Sequence, residues 1–221
     1  MLNDRTITIG AIGFAALTLA GILLLLDGVA GGDTTNAEAA EWLGDSANRT
    51  QVLVGAYLMC AGAIAFLVFV AGIIGRLRAA EAPPAFTEVA RLSGAAFSIC
   101  QLVGAIAMAG AAYAVTAGNE PEPIDPGALR VTTLGLAVWL VPGMLSASAF
   151  VAAVSVSIFA KKAFPTWIGL TGMLCALVLL AAITFLPAVL LLLWVACVGL
   201  VVLVRGEAAP RLDPGAAHPS A

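Results

Sequence analysis

The sequence predicts an all-α fold, a polytopic membrane helix bundle with six transmembrane helices and both termini in the cytoplasm. Of its 221 residues, 62% are hydrophobic and only 10% are charged, whereas a soluble domain has about 25% charged residues. Long apolar stretches follow one another along the chain, and a helix needs about 20 such residues to cross a ~30 Å hydrocarbon core. The basic residues collect on alternate sides of these stretches, as they do in membrane proteins.

The first four spans are separated by polar or proline-containing loops. The first span is expected to remain as a helix, because its apolar run exceeds the roughly 7–15 residues of a secretory signal. A short helix ending at Gly44 is predicted in the following loop, and Asp45 or Ser46 is expected to cap the second span. The four spans are predicted over 6–26, 51–75, 92–116 and 131–160.

The last two spans share one apolar stretch, 167–204, which at ~1.5 Å per residue is far too long for a single crossing. Pro187 divides it, because proline lacks a backbone N–H and clashes with the preceding turn. We predict a hairpin of spans 167–185 and 188–204, with a re-entrant pair as the alternative. Both interpretations return the C-terminus to the same side. The transmembrane domain therefore covers 1–205, and 206–221 is predicted to be a disordered cytoplasmic tail.

The distribution of charge predicts the orientation. With the N-terminus inside, basic residues strongly favour the cytoplasmic side, as expected for the short loops of a multi-pass plasma-membrane protein. The inner residues are Arg5, Arg76, Arg78, Arg91, Lys161, Lys162, Arg205 and Arg211, and the outer ones are Arg49 and Arg130. The acidic residues lean outward, at Asp27, Asp33, Glu38, Glu41, Asp45, Glu120, Glu122 and Asp125.

The predicted membrane interior has no ionisable residue at mid-depth, where one would cost at least ~2.5–3.5 kcal/mol. The single histidine, His218, lies in the tail. This pattern argues against proton relays, haem ligation and zinc proteolysis. We therefore expect no enzyme, no cofactor and no metal, and the net charge of −3 gives no nucleic-acid surface. The four cysteines are predicted to be small packing residues, at Cys60, Cys100, Cys175 and Cys197.

A few polar or helix-breaking residues are candidates for a ligand or packing role. Gln101 is central in the third span and can bridge helices or bind a ligand. Pro142-Gly143 predicts a kink in the fourth span. Charged residues at the outer span ends form either a solvated ion cluster or a ligand vestibule. The candidates are Gln101, Pro142, Gly143, Asp27, Arg49 and Arg130.

The third span also carries a stripe of small residues spaced alternately by four and three, so that they share one helix face. Such a face permits close helix approach in a membrane. We favour a contact inside the bundle over one between protomers. The stripe comprises Cys100, Gly104, Ala107, Ala111, Ala114 and Gly118.

Three short motifs carry a resemblance to a known family. They are Asn48-Arg49 followed by Leu53-Val54-Gly55-Ala56-Tyr57-Leu58, then Gly75-Arg76-Leu77-Arg78, and finally Phe164-Pro165-Thr166-Trp167-Ile168-Gly169. In these motifs the chain resembles a family of small six-helix bacterial integral membrane proteins that is defined as a domain of unknown function. The resemblance implies the six-helix topology, and it brings no activity, cofactor or catalytic residue.

The sequence thus favours a non-enzymatic accessory or interaction subunit of a membrane assembly, with the lipid bilayer and other membrane proteins as partners. The alternative is a permease or binder of a lipid-like or uncharged small molecule, indicated by Gln101, the Pro142 kink and the acidic outer loops. A membrane-embedded enzyme is a third hypothesis, for which the sequence offers no catalytic pair.

Overall fold

The computed structural model describes residues 2–26, 35–118, 129–161, 163–181 and 186–207. These residues are almost all helical. A π-helical turn, Trp139–Gly143, joins α5 to α6 within one continuous rod. The helices are α1 Asp4–Leu26, α2 Asn36–Leu43, α3 Ser46–Ala79, α4 Pro84–Thr116, α5 Arg130–Val138, α6 Met144–Lys161, α7 Thr166–Leu180 and α8 Leu186–Glu207.

Among the described residues, five helical rods are long and apolar enough to cross a membrane: α1, α3, α4, the α5–α6 rod and α8. The remaining apolar helix, α7, has 15 residues and is about 22 Å long at the α-helical rise per residue. The predicted all-α fold with several membrane-length helices is therefore confirmed. The end of the predicted fifth span, 182–185, lies outside the described residues, as does the tail from 208 onward.

Most helices extend beyond their predicted bounds, for local reasons. α3 begins at Ser46 because the Asp45 side chain accepts a hydrogen bond from the Ala47 N–H at 2.8 Å. α4 begins at Pro84, since proline at the first helical position forfeits no helical hydrogen bond. α8 continues to Glu207, two residues past the expected domain end at 205.

The rods pack as a ring in which each helix contacts its neighbour in sequence and α8 returns to α1. The Thr8 hydroxyl, near the start of α1, donates a hydrogen bond to the Gly199 carbonyl oxygen of α8 at 2.8 Å. The start of α1 therefore lies beside the C-terminal half of α8. Asp4 forms an ion pair with Arg76 of α3, and both line a cleft of about 430 Å³ together with Ala163. We call this the inner end of the bundle.

Aromatic rings fill the middle of the bundle. The Phe66 ring centroid lies 4.7 Å from that of Phe14, 5.0 Å from Phe97 and 5.3 Å from Phe150. Phe150 continues the contact to Trp194 of α8 at 6.5 Å. These five rings, the aromatic layer, join α1, α3, α4, α6 and α8. Their edge-to-face and tilted geometry is the favourable one for aromatic pairs.

Candidate functional site

The most polar point of the described interior is the side chain of Gln101, near the middle of α4. Its Nε2 donates one hydrogen bond to the Thr18 hydroxyl oxygen and one to the Met59 carbonyl oxygen, each at 2.9 Å. Gln101 and Met59 are fully buried and Thr18 is nearly so. One amide thus joins α1, α3 and α4. We call these three residues the glutamine clamp.

A glycine makes the clamp possible. A Cβ atom at Gly62 would lie 2.4 Å from the Thr18 hydroxyl oxygen and 3.4 Å from Gln101 Nε2. Real Cβ atoms do not approach that closely, so any larger residue at this position would displace the Thr18 side chain or push α1 away from α3. Gly62 therefore sets the distance at which the amide can reach both partners.

The clamp and the aromatic layer are adjacent by helical periodicity. Phe97 precedes Gln101 by four residues, Phe14 precedes Thr18 by four, and Phe66 follows Gly62 by four. Residues four apart lie on the same helix face, one turn apart. Since α3 runs antiparallel to α1 and α4, all three rings lie one turn closer to the inner end than the clamp. The clamp is consequently capped by packed rings on that side.

The other atom of the Gln101 amide is unsatisfied. Within the described part of the chain, no donor lies within hydrogen-bond distance of Oε1. The amide orientation is fixed, because the Met59 carbonyl only accepts and so requires the NH₂ group. A buried acceptor without a partner costs roughly 1–3 kcal/mol. The clamp therefore holds three helices together while retaining one spare acceptor.

Arg49 organises the outer end of the bundle. One of its guanidinium nitrogens, Nη1, donates to the carbonyl oxygens of Leu43 and Gly44 at 2.9 and 2.8 Å. Asn48 Nδ2 donates to the Trp42 carbonyl oxygen at 2.8 Å. These carbonyls end α2, where a cation also complements the helix dipole. Arg49 thus fastens α2 to the start of α3.

The N-terminus of α2 is fixed by a separate set of hydrogen bonds. Glu38 Oε2 accepts hydrogen bonds from the Thr35 backbone N–H and hydroxyl at 2.8 and 2.9 Å, and the Glu38 N–H donates back to that hydroxyl. This is a capping box. The hydrogen bonds from Thr35, the backbone one foremost, lower the pKa of the Glu38 carboxyl. α2 is thus capped at both ends and buried along Ala39, Ala40 and Leu43. We call this fixed helix at the outer end of the bundle the α2 platform.

Of the two other charged candidates, the described residues include Arg130 alone. Arg130 begins α5 and is exposed. Asp27 lies outside the described residues. The ion cluster and the ligand vestibule therefore both remain predictions.

The Pro142-Gly143 pair forms the end of the π-helical turn, and its two residues face different ways. Pro142 is exposed, and its carbonyl oxygen accepts from the Ser146 hydroxyl at 2.7 Å. Gly143 is buried, and a Cβ there would lie 3.4 Å from the Cys100 Cβ. The π-helical turn thus lies against α4 at Cys100, one residue before Gln101, while Pro142 is on the exposed side of the rod.

The small-residue stripe of α4 lies against α5. A Cβ at Gly135 would lie 2.8 Å from both the Ala107 Cβ and the Gly104 carbonyl oxygen. Near the inner half of the stripe, Cys100 faces Gly143. Farther out, Ala111 is buried, Ala114 is half-buried, and Gly118 is exposed with a positive φ of 71°. The contact described for the stripe is thus within the bundle.

Sequence reasoning found Gln101 but missed its partners. Thr18 is a lone hydroxyl in an apolar helix, and Met59 contributes only a backbone oxygen, which no side-chain pattern reveals. Gly62 gave a signal, since a glycine inside a span usually marks close packing. Across the described residues, no three histidine, cysteine or acidic side chains are grouped to hold a metal. The clamp offers neutral hydrogen-bond chemistry.

The fold is that of a helical bundle with the length and apolarity of a multi-pass membrane protein. Comparisons of this chain with protein-family models, with curated proteins and with solved structures found no match. Its function is therefore argued from its geometry.

Proposed function

We propose that the chain crosses the plasma membrane six times, as the fifth and sixth spans α7 and α8 form a full hairpin, and that both termini are cytoplasmic. Two observations support this arrangement. Thr8 of α1 and Gly199 of α8 are hydrogen-bonded, which supports a return of the chain to its starting side and hence an even number of crossings. The inner end contains Arg76 and Arg78, and basic residues favour the cytoplasm.

Within that membrane, we propose that the protein is a non-enzymatic accessory or interaction subunit of a larger assembly. The single observation that carries this proposal is the packed axis of the bundle. The aromatic layer joins five of the rods, and the glutamine clamp ties α1, α3 and α4 together directly beside it. The Gln101 NH₂ group, the Thr18 hydroxyl and the Met59 carbonyl there hold helices together, and only Oε1 is left without a partner among the described residues. Such an interior favours a function carried by the outer surfaces and the capped α2 platform.

Extraction of the native membrane into polymer-bounded discs tests the accessory role, because the surrounding proteins and lipids are retained. We expect the chain to co-migrate in native electrophoresis with a defined partner of fixed stoichiometry. Arg49→Ala, which releases the α2 platform, should weaken that complex more than Arg5→Ala, a substitution of an exposed cation at the inner end. A chain that runs alone in such discs under every condition would overturn the proposal.

A second candidate is a binder of a lipid-like or uncharged small molecule, the alternative predicted from the sequence. The packed rings beside Gln101 disfavour its permease form, in which a solute passes along the bundle axis. The binder form is favoured by a different feature, an apolar groove between α7 and α8. Uptake of a neutral solute into vesicles that contain the purified protein, at a rate above empty vesicles, would restore the permease form.

A further inference from the structure

The α7–α8 junction contains a groove of about 360 Å³ that opens on the side surface of the bundle. Its walls are almost entirely apolar. Leu174 and Leu193 are more than half exposed at the rim, whereas Trp194 and Cys175 are buried at its base. The main lining residues are Trp167, Leu174 and Val178 of α7, and Leu190, Leu193 and Cys197 of α8.

The groove exists because a large ring separates the two helices. Trp194 of α8 packs against Gly172 of α7, where a Cβ would lie 2.9 Å from the indole nitrogen. That nitrogen donates to the Ile168 carbonyl oxygen at 3.3 Å. The indole is thereby fixed between α7 and α8 and holds them apart on the membrane side. The base of the groove is formed before any ligand arrives.

The dimensions of the groove fit one acyl chain. From Trp167 to Val178 the helical rise gives roughly 16 Å, about half of a ~30 Å hydrocarbon core. The groove therefore follows the depth of a single leaflet. A transmembrane helix is about 10–12 Å across with its side chains, so a stretch of it as long as the groove would far exceed the volume of about 360 Å³ and would insert only single side chains.

Charge at one end of the groove indicates the head group. Lys161 ends α6, is exposed, and precedes the first residue of α7 by five positions. Lys162 follows it in the sequence. Trp167, at the same end, is the kind of residue that lies at the membrane interface. Lysines near the surface attract anionic lipids.

We propose that the α7–α8 groove is a binding site for a single anionic phospholipid of the leaflet on the Lys161 side. One acyl chain lies between Leu174 and Leu193 over the Trp194 indole, and the phosphate lies near Lys161. This site specifies the ligand class of the second candidate function, the binder of a lipid-like molecule, and the inference rests on that proposal. It is independent of the proposed accessory role.

Native mass spectrometry of the full chain, released from vesicles of equal phosphatidylglycerol and phosphatidylcholine, tests the site. We expect one retained lipid per chain, with phosphatidylglycerol favoured. Leu174→Trp fills the groove and should reduce retention at least fivefold. Leu177→Trp is the matched control, since Leu177 is a similarly exposed leucine of α7 outside the groove lining, and it should retain the lipid.

A second pair of variants tests the preference for an anionic head group. Lys161→Gln should lower the preference for phosphatidylglycerol about fivefold, the effect of roughly one lysine at a membrane surface. Arg5→Gln, an exposed cation on α1 at the same end, should leave the preference unchanged.

Three results would overturn the proposal. Equal lipid loss in Leu174→Trp and Leu177→Trp would mean that only ordinary boundary lipid is bound. A preference unaffected by Lys161→Gln would remove the anionic head group. Efficient Cys197–Cys197 crosslinking between two chains in the vesicles would assign the groove to a second copy. None of these results decides the accessory role, which the experiment in polymer-bounded discs tests independently.

Discussion

The two sides of the bundle are built differently. On one side, α1, α3 and α4 approach at glycines, so that the Gly62 backbone lies directly against Thr18 and the Gln101 amide reaches both neighbours. On the other side, an indole stands between α7 and α8, and an apolar groove opens beside it. Gly62 and Gly172 show the difference between the two sides. At Gly62 the glycine admits a neighbouring helix, and at Gly172 it admits a side chain that keeps the neighbour away.

The α1–α3–α4 side therefore holds the bundle together, whereas the α7–α8 side is available for binding. The clamp directs its polar atoms inward, where they order helices that have no hydrophobic drive to associate in lipid. The groove presents apolar walls outward, where an acyl chain or a partner can replace ordinary lipid. Substitutions on the clamp side should therefore change stability, and substitutions on the groove side should change binding.

The largest effect is expected from Gly62→Ala. The added methyl group would lie 2.4 Å from the Thr18 oxygen, so either the Thr18 side chain or the α1 backbone must move, and in both cases the clamp breaks. Overpacking of this kind costs about 1–3 kcal/mol, to which the lost hydrogen bonds add. We expect a large fall in the free energy of unfolding, measured by titrating detergent-solubilised protein with sodium dodecyl sulfate.

Gly75→Ala is the control in the same helix, because a Cβ at Gly75 has no atom within 4 Å. It should be neutral or slightly stabilising, since alanine favours the helix by up to about 1 kcal/mol over glycine. Equal losses for the two variants would show that the close approach of α1 and α3 is not what holds this side together.

A smaller effect should follow from replacing Gln101, and its size depends on the replacement. Gln101→Leu loses two interhelical hydrogen bonds of roughly 0.6 kcal/mol each, but it also removes the unsatisfied Oε1, worth about 1–3 kcal/mol. The net change should be near zero. Gln101→Ala leaves a cavity and should cost about 2 kcal/mol more than leucine does. The same titration measures both variants. A leucine variant as unstable as the alanine variant would mean that Oε1 accepts a stabilising hydrogen bond.

The smallest effect concerns α2, which lies apart from both sides. Because the pKa of Glu38 is lowered in the folded state, its contribution to holding α2 is complete above the ordinary glutamate pKa of about 4.3. That contribution is lost as the pH falls through the lowered folded-state value. Amide exchange of residues 39–44, corrected for its intrinsic rate, should show constant protection from pH 7 to pH ~5 and a decrease below pH ~4.

Two variants sharpen this prediction. Glu38→Gln keeps an acceptor for Thr35 but cannot titrate, so the acid-dependent step should disappear. Thr35→Ala removes the cap itself and should lower protection about fivefold at every pH. A step that persists unchanged in Glu38→Gln would assign the acid sensitivity to another group.

The sequence predicts this fold well wherever the information is local. Apolar length located every long rod, Asp45 was one of two caps proposed, and Pro142 marked the helix irregularity. The sequence did not predict pairings whose partner is a backbone atom. Gln101 was recognised, but its Met59 acceptor was not, and no sequence pattern indicated that Arg49 caps α2 through carbonyl oxygens.

The groove was also invisible in the sequence, for a related reason. Its lining residues are ordinary apolar residues for a membrane span, and only the spacing between α7 and α8 makes them a site. That spacing is set by Trp194 against Gly172, which lie in two consecutive helices. Patterns along one helix cannot report a distance between two.

The most direct test of the whole account is the sidedness of three single cysteines in a variant without the native ones. Glu41→Cys lies on α2, Glu81→Cys in the α3–α4 turn, and Arg205→Cys near the end of α8. A membrane-impermeant maleimide applied to intact cells should label Glu41→Cys alone, and the other two should react only after lysis. Labelling of Glu81→Cys or Arg205→Cys in intact cells, or recovery of the chain in the soluble fraction, would contradict six crossings with cytoplasmic termini.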